Sequence, residues 1–225
     1  MRQQFYWHGI HVPYITQWSS EQGDSGRLTA RLGPAGERIE YAQEHQADRR
    51  EGALWVRSRI GRGRGAPDFV RVHPMRQRQA ILNDLCQVCG NYVPLIPDEE
   101  ARLYVVGGYT PVTDGERSTS PPTHPECALE AIGACPKLSR HVTALVRETP
   151  LWGVSGALIH PKTLKPLDDG AATFQPFSAP EFNWTLASAL VVALHGVTPI
   201  TTADVTNLAR TQPELAAVVP EGARP

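Results

Sequence analysis

Leu85-Cys86-Gln87-Val88-Cys89-Gly90 is the most specific stretch of this 225-residue chain. It holds two of the four cysteines. The other two follow closely, Cys127 within His124-Pro125-Glu126-Cys127 and then Cys135. Two residues between Cys86 and Cys89 let one tight turn bring both thiolates to a point. Gly90 suits the backbone conformation required just after the second of them. His124 and Cys127 stand three apart at a predicted helix start, so they project to the same side. This spacing is that of a tetrahedral zinc site, expected to use Cys86, Cys89, His124 and Cys127.

Cys135 competes with His124 for the fourth position. On a continuous helix the eight residues from Cys127 amount to about 12 Å of rise, too far for both thiolates to reach one ion. His124 is therefore favoured unless the helix breaks at Gly133. Buried, unligated cysteines are the bland alternative. They account for Cys135 well and for the Cys86/Cys89 spacing poorly. Working outward, the helix opened by His73-Pro74-Met75 runs into the cysteine turn, with Arg76 and Arg78 expected on its exposed side. Strands at Tyr92–Ile96 and Arg102–Val106 and a helix at His124–Ala134 complete the order of a treble-clef-like zinc module over residues 73–138.

Three catalytic readings of these residues are weaker. His124-Pro125-Glu126 has the His-x-Glu of zinc deaminases, but there the cysteine pair follows that motif and here it precedes it. A thioredoxin-like pair at Cys86/Cys89 would need a βαβ setting, which the pattern lacks. A zinc-finger-containing nuclease would need a strand-borne base, and no Asp-His pair lies near the expected hairpin. Four protein ligands leave no open coordination position, so a zinc here is expected to be structural.

The segments Leu85-Cys86-Gln87-Val88-Cys89-Gly90, Ser120-Pro121-Pro122-Thr123-His124-Pro125-Glu126-Cys127-Ala128 and Ala134-Cys135-Pro136-Lys137-Leu138 resemble uncharacterised bacterial and phage zinc-finger-like proteins of actinobacterial type. The resemblance covers residues 73–138. It implies a metal site and a role for Cys135, such as packing beneath the zinc, and names no activity.

The remainder reads as a β-rich α+β protein. Residues 1–72 form an Arg-rich β segment, with strands expected at His11–Trp18, Gly26–Leu32, Arg38–Gln43 and Ala53–Ile60. Residues 139–225 form a strand-plus-helix segment, with strands at His141–Arg147 and Gly153–His160 and helices at Phe182–Leu194 and Thr202–Ala209. The three segments are also compatible with one continuous domain. Twenty prolines and nineteen glycines favour short elements and frequent turns.

Charge is distributed unevenly. Residues 1–85 carry thirteen arginines against nine acidic residues, and the rest of the chain is acidic. Nine of those arginines fall between Arg49 and Arg78, opposed there only by Glu51 and Asp68. Arg57 and Arg59 alternate along a predicted strand, Arg62 and Arg64 sit on a glycine loop, and Arg76 and Arg78 follow. Guanidinium forks match phosphate oxygens, and Trp55 and Phe69 offer stacking faces. DNA or RNA is thus one expected partner, and the rival arrangement is a solvated face paired with Glu37, Glu40, Glu44 and Asp48. The other class of partner is a protein docked on a zinc-stabilised surface. The N-terminus has no secretory pattern and the longest apolar stretch is too short for a bilayer, so a cytoplasmic, non-membrane setting is expected.

Overall fold

The computed structural model describes residues 2–23, 26–33 and 36–212. It begins with a small antiparallel hairpin of β1 (Tyr6–Trp7) and β2 (Ile10–His11). His8 and Gly9 join them, both at positive φ, the geometry that matches the twist of a two-residue hairpin. Pro13 interrupts the strand expected over His11–Trp18, leaving β3 (Thr16–Trp18). A longer hairpin follows, β4 (Leu28–Gly33) with β5 (Gly36–Tyr41). Next come β6 (Arg49–Arg50) and β7 (Ala53–Trp55), turned by Glu51 and Gly52, again both at positive φ. The strand expected to continue to Ile60 stops at Trp55. β8 (Pro67–Val72) pairs back onto β3 through an irregular register, and α1 (Pro74–Leu82) follows directly.

After α1 come β9 (Arg102–Gly107), β10 (Arg117–Ser118), α2 (Pro125–Ala134), β11 (His141–Val146) and β12 (Leu151–Leu158). The described chain closes with β13 (Ala172–Pro176), β14 (Thr185–Ala193), β15 (Thr198–Ile200) and α3 (Thr202–Thr211). The result is mixed α+β, mostly strand, with three α-helices among the described residues. None of these helices is long and apolar enough to cross a membrane.

The largest sheet among the described residues has six strands in the order β13-β12-β14-β7-β6, with β10 also on β14. It draws strands from early, middle and late parts of the chain, and its β14–β7 contact is parallel. Here the expected helix at Phe182–Leu194 is corrected: the segment is β14. Its second half is continuously apolar because Leu190, Val191 and Val192 are consecutive and all buried at the sheet centre. A strand covered on both faces loses the alternation that distinguishes it from a buried helix. Gln77 fastens α1 to this strand, donating to the Leu190 carbonyl at 3.0 Å and accepting from the Leu190 N–H at 2.9 Å.

A second sheet, β15-β11-β9, is antiparallel. Leu103, Val105 and Leu145 from it meet Ala128 of α2 and Val205 of α3 in an apolar layer. This layer carries α2 and, with β9, fixes where the cysteine turn can sit. The strand expected at Tyr92–Ile96 is absent. That segment contains Pro94 and makes only isolated bridges, Leu85 to Tyr92 and Ile96 to Ala101.

Candidate metal centre

The cysteine turn is built by its backbone. Cys86 N–H donates to the Asn91 carbonyl at 2.7 Å, and Gly90 N–H donates to the Cys86 carbonyl at 2.8 Å. Gly90 completes the reversal with φ +77°. The turn also directs two N–H groups at sulfur: Val88 to Cys86 Sγ at 3.4 Å and Asn91 to Cys89 Sγ at 3.5 Å. Such donors stabilise thiolates. On the other side, Gln87 N–H reaches the Pro122 carbonyl and Thr123 N–H reaches the Leu103 carbonyl. These two bonds bring the segment before α2 alongside the turn.

His124 is the N-cap residue of α2, with Pro125 at the first helical position. Cys127 follows one turn on. His124 Nε2–H donates to the Tyr92 carbonyl at 2.9 Å, which aims Nδ1 at the sulfurs. Nδ1 lies 3.4 Å from Cys89 Sγ and 4.0 Å from Cys127 Sγ. One donor atom from each of Cys86, Cys89, His124 and Cys127 lies within 4.8 Å of the others, and all four residues are buried. A tetrahedral ion held at ordinary zinc–sulfur distances separates its ligands by about 3.8 Å, so the donor set fits such an ion with small adjustments.

The protonation pattern points the same way. Burial opposes ionisation of Cys86, but hydrogen bonds from Cys127, Cys89 and His124 outweigh it and hold this thiol well below the ordinary range. Cys127 moves upward, through its bonds to Cys86 and Cys89 and then through burial. Burial disfavours the His124 cation, yet its bonds to Cys86 and Cys89 push it up to about 10. The cluster attracts positive charge at its centre. A proton supplies that charge poorly for three sulfurs at once, and a divalent cation supplies it well. The four residues can bind a metal ion.

Cys135 lies outside this group. It is the C-cap residue of α2 and lines an apolar cavity of about 340 Å3 with Ile10, Pro13, Phe69, Val88 and Ala131. Trp55, one of the two expected stacking faces, is buried, whereas Phe69 is exposed.

The six arginines singled out from sequence divide. Arg76 was expected on an exposed helix face and is instead buried. Its NH1 and NH2 donate to Glu21 Oε1 and Oε2 at 2.6 and 2.7 Å, and NH2 also reaches the Thr16 carbonyl. Arg57 grips Asp48 with Nε and NH2 at 3.0 and 2.7 Å and lies over Tyr41. Arg62 lies over Phe5 and Tyr14 and donates to the Gln3 carbonyl. Arg78, also expected to be exposed, is half-buried over Trp55. Arg59 and Arg64 are exposed. His73 occupies the N-cap position of α1, but its side chain makes no capping bond; Nε2 meets the Arg59 carbonyl. Of the carboxylates that organise this region, Asp48 reads in sequence only as one member of a solvated acidic run, and Glu21 is not singled out there. Glu21 lies in a polar run, Ser19-Ser20-Glu21-Gln22, which carries no sign of burial.

The arrangement defines a mixed α+β protein with a buried Cys3His group competent for a metal ion. Set beside family models, curated proteins and solved structures, the chain matches none of them.

Proposed function

We propose that this chain is a zinc-stabilised binding protein, and that its zinc is structural. The observation that supports this reading is the closed donor set Cys86, Cys89, His124 and Cys127. Thiolate and imidazole donors favour zinc over harder cations, and four protein ligands leave no position for a substrate. On this reading the cysteine turn, the segment after it and α2 form a treble-clef-like unit. Its hairpin is reduced to the bridge between Ile96 and Ala101. A thiolate metal site suits a reducing compartment, and a cytoplasmic setting is part of this proposal.

The partner proposed is nucleic acid, contacted by arginines that remain at the surface: Arg59, Arg64 and Arg71, the last in β8. Arg57, Arg62, Arg76 and Arg78 serve that surface from beneath by holding its framework. Zinc content by elemental analysis, together with retention on DNA and RNA across a salt series, tests both parts. One zinc per chain and salt-sensitive retention are expected. Retention without zinc, or zinc without retention, would each remove one half of the reading.

A second reading has its own support. Tyr6, Trp7, Ile10, Phe69 and Val70 are exposed, and Ile10 and Phe69 line the apolar cavity that also holds Cys135. Clustered exposed apolar side chains mark protein-interaction surfaces. Salt-insensitive capture of a protein, with no nucleic-acid retention, would favour this alternative.

A further inference from the structure

We infer that the cavity between β3, residues 56–58, β8 and the start of α1 binds a phosphate oxyanion, supplied by a nucleic-acid phosphodiester. The inference rests on the nucleic-acid reading and gives it a particular site. The cavity measures about 370 Å3 and is lined by Arg57, Arg71, Ser58, Ser188, Gln17 and Gln22, together with short apolar and backbone surfaces. Two guanidinium groups meet neutral hydrogen-bonding side chains there, and no carboxylate is among the described lining residues. That combination suits an anion with several acceptor oxygens.

The two arginines have different roles. Arg57 spends Nε and NH2 on Asp48 and NH2 also on the Gln43 carbonyl, and it lies over the Tyr41 ring, so it fixes the wall and is not a donor to the anion. Arg71 touches Asp68 only at 3.5 Å and is largely exposed, so most of its fork is available. Asp48 and Asp68 stand behind these arginines, and neither lines the cavity. The Ser58 hydroxyl and the Gln17 and Gln22 amides have no side-chain hydrogen-bond partner among the described residues. A phosphate would give them partners, with Arg71 supplying the charge-assisted bonds. Ser188 donates to the Ser155 carbonyl, which leaves its oxygen lone pairs and not its proton toward the cavity. It therefore shapes the wall and adds no donor.

The test uses the full zinc-loaded chain, titrated with inorganic phosphate in a chloride background and, separately, with a single-stranded oligonucleotide lacking terminal phosphates. Arg71→Gln is expected to weaken phosphate binding about tenfold, the loss of one charge-assisted bond, with melting unchanged. It should also reduce the salt slope of oligonucleotide binding by about one. Arg59→Ala with Arg64→Ala should leave phosphate affinity unchanged. If phosphate binds no better than chloride, or binds Arg71→Gln as well as the wild type, the site is overturned. If oligonucleotide retention depends on Arg59 and Arg64 and ignores Arg71, the site falls and the nucleic-acid reading stands. If phosphate binding depends on Arg71 but no oligonucleotide is retained, the oxyanion site stands on free phosphate and the nucleic-acid source falls.

Discussion

Two buried polar clusters lie on either side of the N-terminal arm, and they reach electrical balance by different routes. At Cys86, Cys89, His124 and Cys127, three sulfurs and one imidazole face one another, all buried, with no arginine or lysine in the group. At Glu21 and Arg76, a carboxylate and a guanidinium meet at 2.6 and 2.7 Å. There the Trp18 and Gly61 N–H groups complete the carboxylate, and the Thr16 carbonyl takes a further arginine proton. The second cluster is closed by the chain itself. The first has the donor set to take a metal ion. The difference predicts that the first cluster responds to chelators and the second to acid.

The sharpest way to break the comparison is Cys89→Ser. Structural zinc contributes roughly 10 kcal/mol or more of folding free energy in small zinc modules. The variant is expected to lose the metal and the cooperative melting of the region around α2 and β9, read by elemental analysis and near-ultraviolet circular dichroism. Prolonged chelation of the wild type should have the same effect. A metal-free Cys89→Ser protein that melts like the wild type would make the two clusters equivalent and end the zinc reading.

The Glu21 cluster should respond to substitution and to acid, not to chelators. Glu21→Ala leaves Arg76 buried without its counter-ion, a loss of about 3–5 kcal/mol in denaturant unfolding. Burial alone would raise the Glu21 pKa. The Arg76 hydrogen bond, the Trp18 N–H and the charges of Arg76 and His73 outweigh it, so the carboxyl sits below its ordinary value of 4.5. A depressed folded pKa contributes stability that is fully present above that ordinary value and is lost as pH falls through the folded one. Glu21→Gln should therefore flatten the acid limb of the stability profile. An unchanged acid limb would show that other carboxylates set it.

Gly90 closes the cysteine turn against Tyr14 and should give a smaller effect than either cluster. A Cβ there would stand 2.7 Å from the Tyr14 ring, at φ +77°. Tyr14 belongs to the arm that covers the cysteine turn, donating its N–H to the Val88 carbonyl at 2.7 Å, and its ring lies under Arg62. Gly90→Ala is expected to cost about 1–3 kcal/mol through backbone strain and this overlap, with metal content retained. Loss of metal in Gly90→Ala would mean that the arm holds the ligands in place as well as covering them.

The same contrast explains what could be read in advance. The four candidate metal ligands are legible because their geometry is set within one turn of chain: Cys86 to Cys89, and His124 to Cys127. Only their meeting is long-range, and matching donor chemistry signals it. α3 begins at Thr202 as expected, because its start is encoded by the local Thr201–Asp204 cap. Arg76 was misplaced because its partner lies 55 residues away in a segment with no apolar pattern. β14 was misread because burial on both faces erased its period. In sequence Arg57 is balanced between a phosphate contact and pairing with the run Glu37, Glu40, Glu44 and Asp48; it pairs with Asp48, but that carboxylate is 9% exposed and not part of a solvated face. Local chemistry survives translation into sequence, while partners chosen by the tertiary fold do not.

The smallest expected effect on stability comes from the arginines that joined neither cluster. Arg59 and Arg64 are exposed, and the Arg64 carbonyl, not its guanidinium, receives the Ser20 hydroxyl. Replacing both side chains with alanine should therefore change unfolding free energy by less than about 0.5 kcal/mol. If these two arginines neutralise phosphates, the same double substitution should lower the salt slope of nucleic-acid retention by about two. A stability-neutral variant with altered salt dependence separates surface charge used for a partner from charge used for the fold. A variant that is neutral in both would remove Arg59 and Arg64 from the contact and leave Arg71 to carry it.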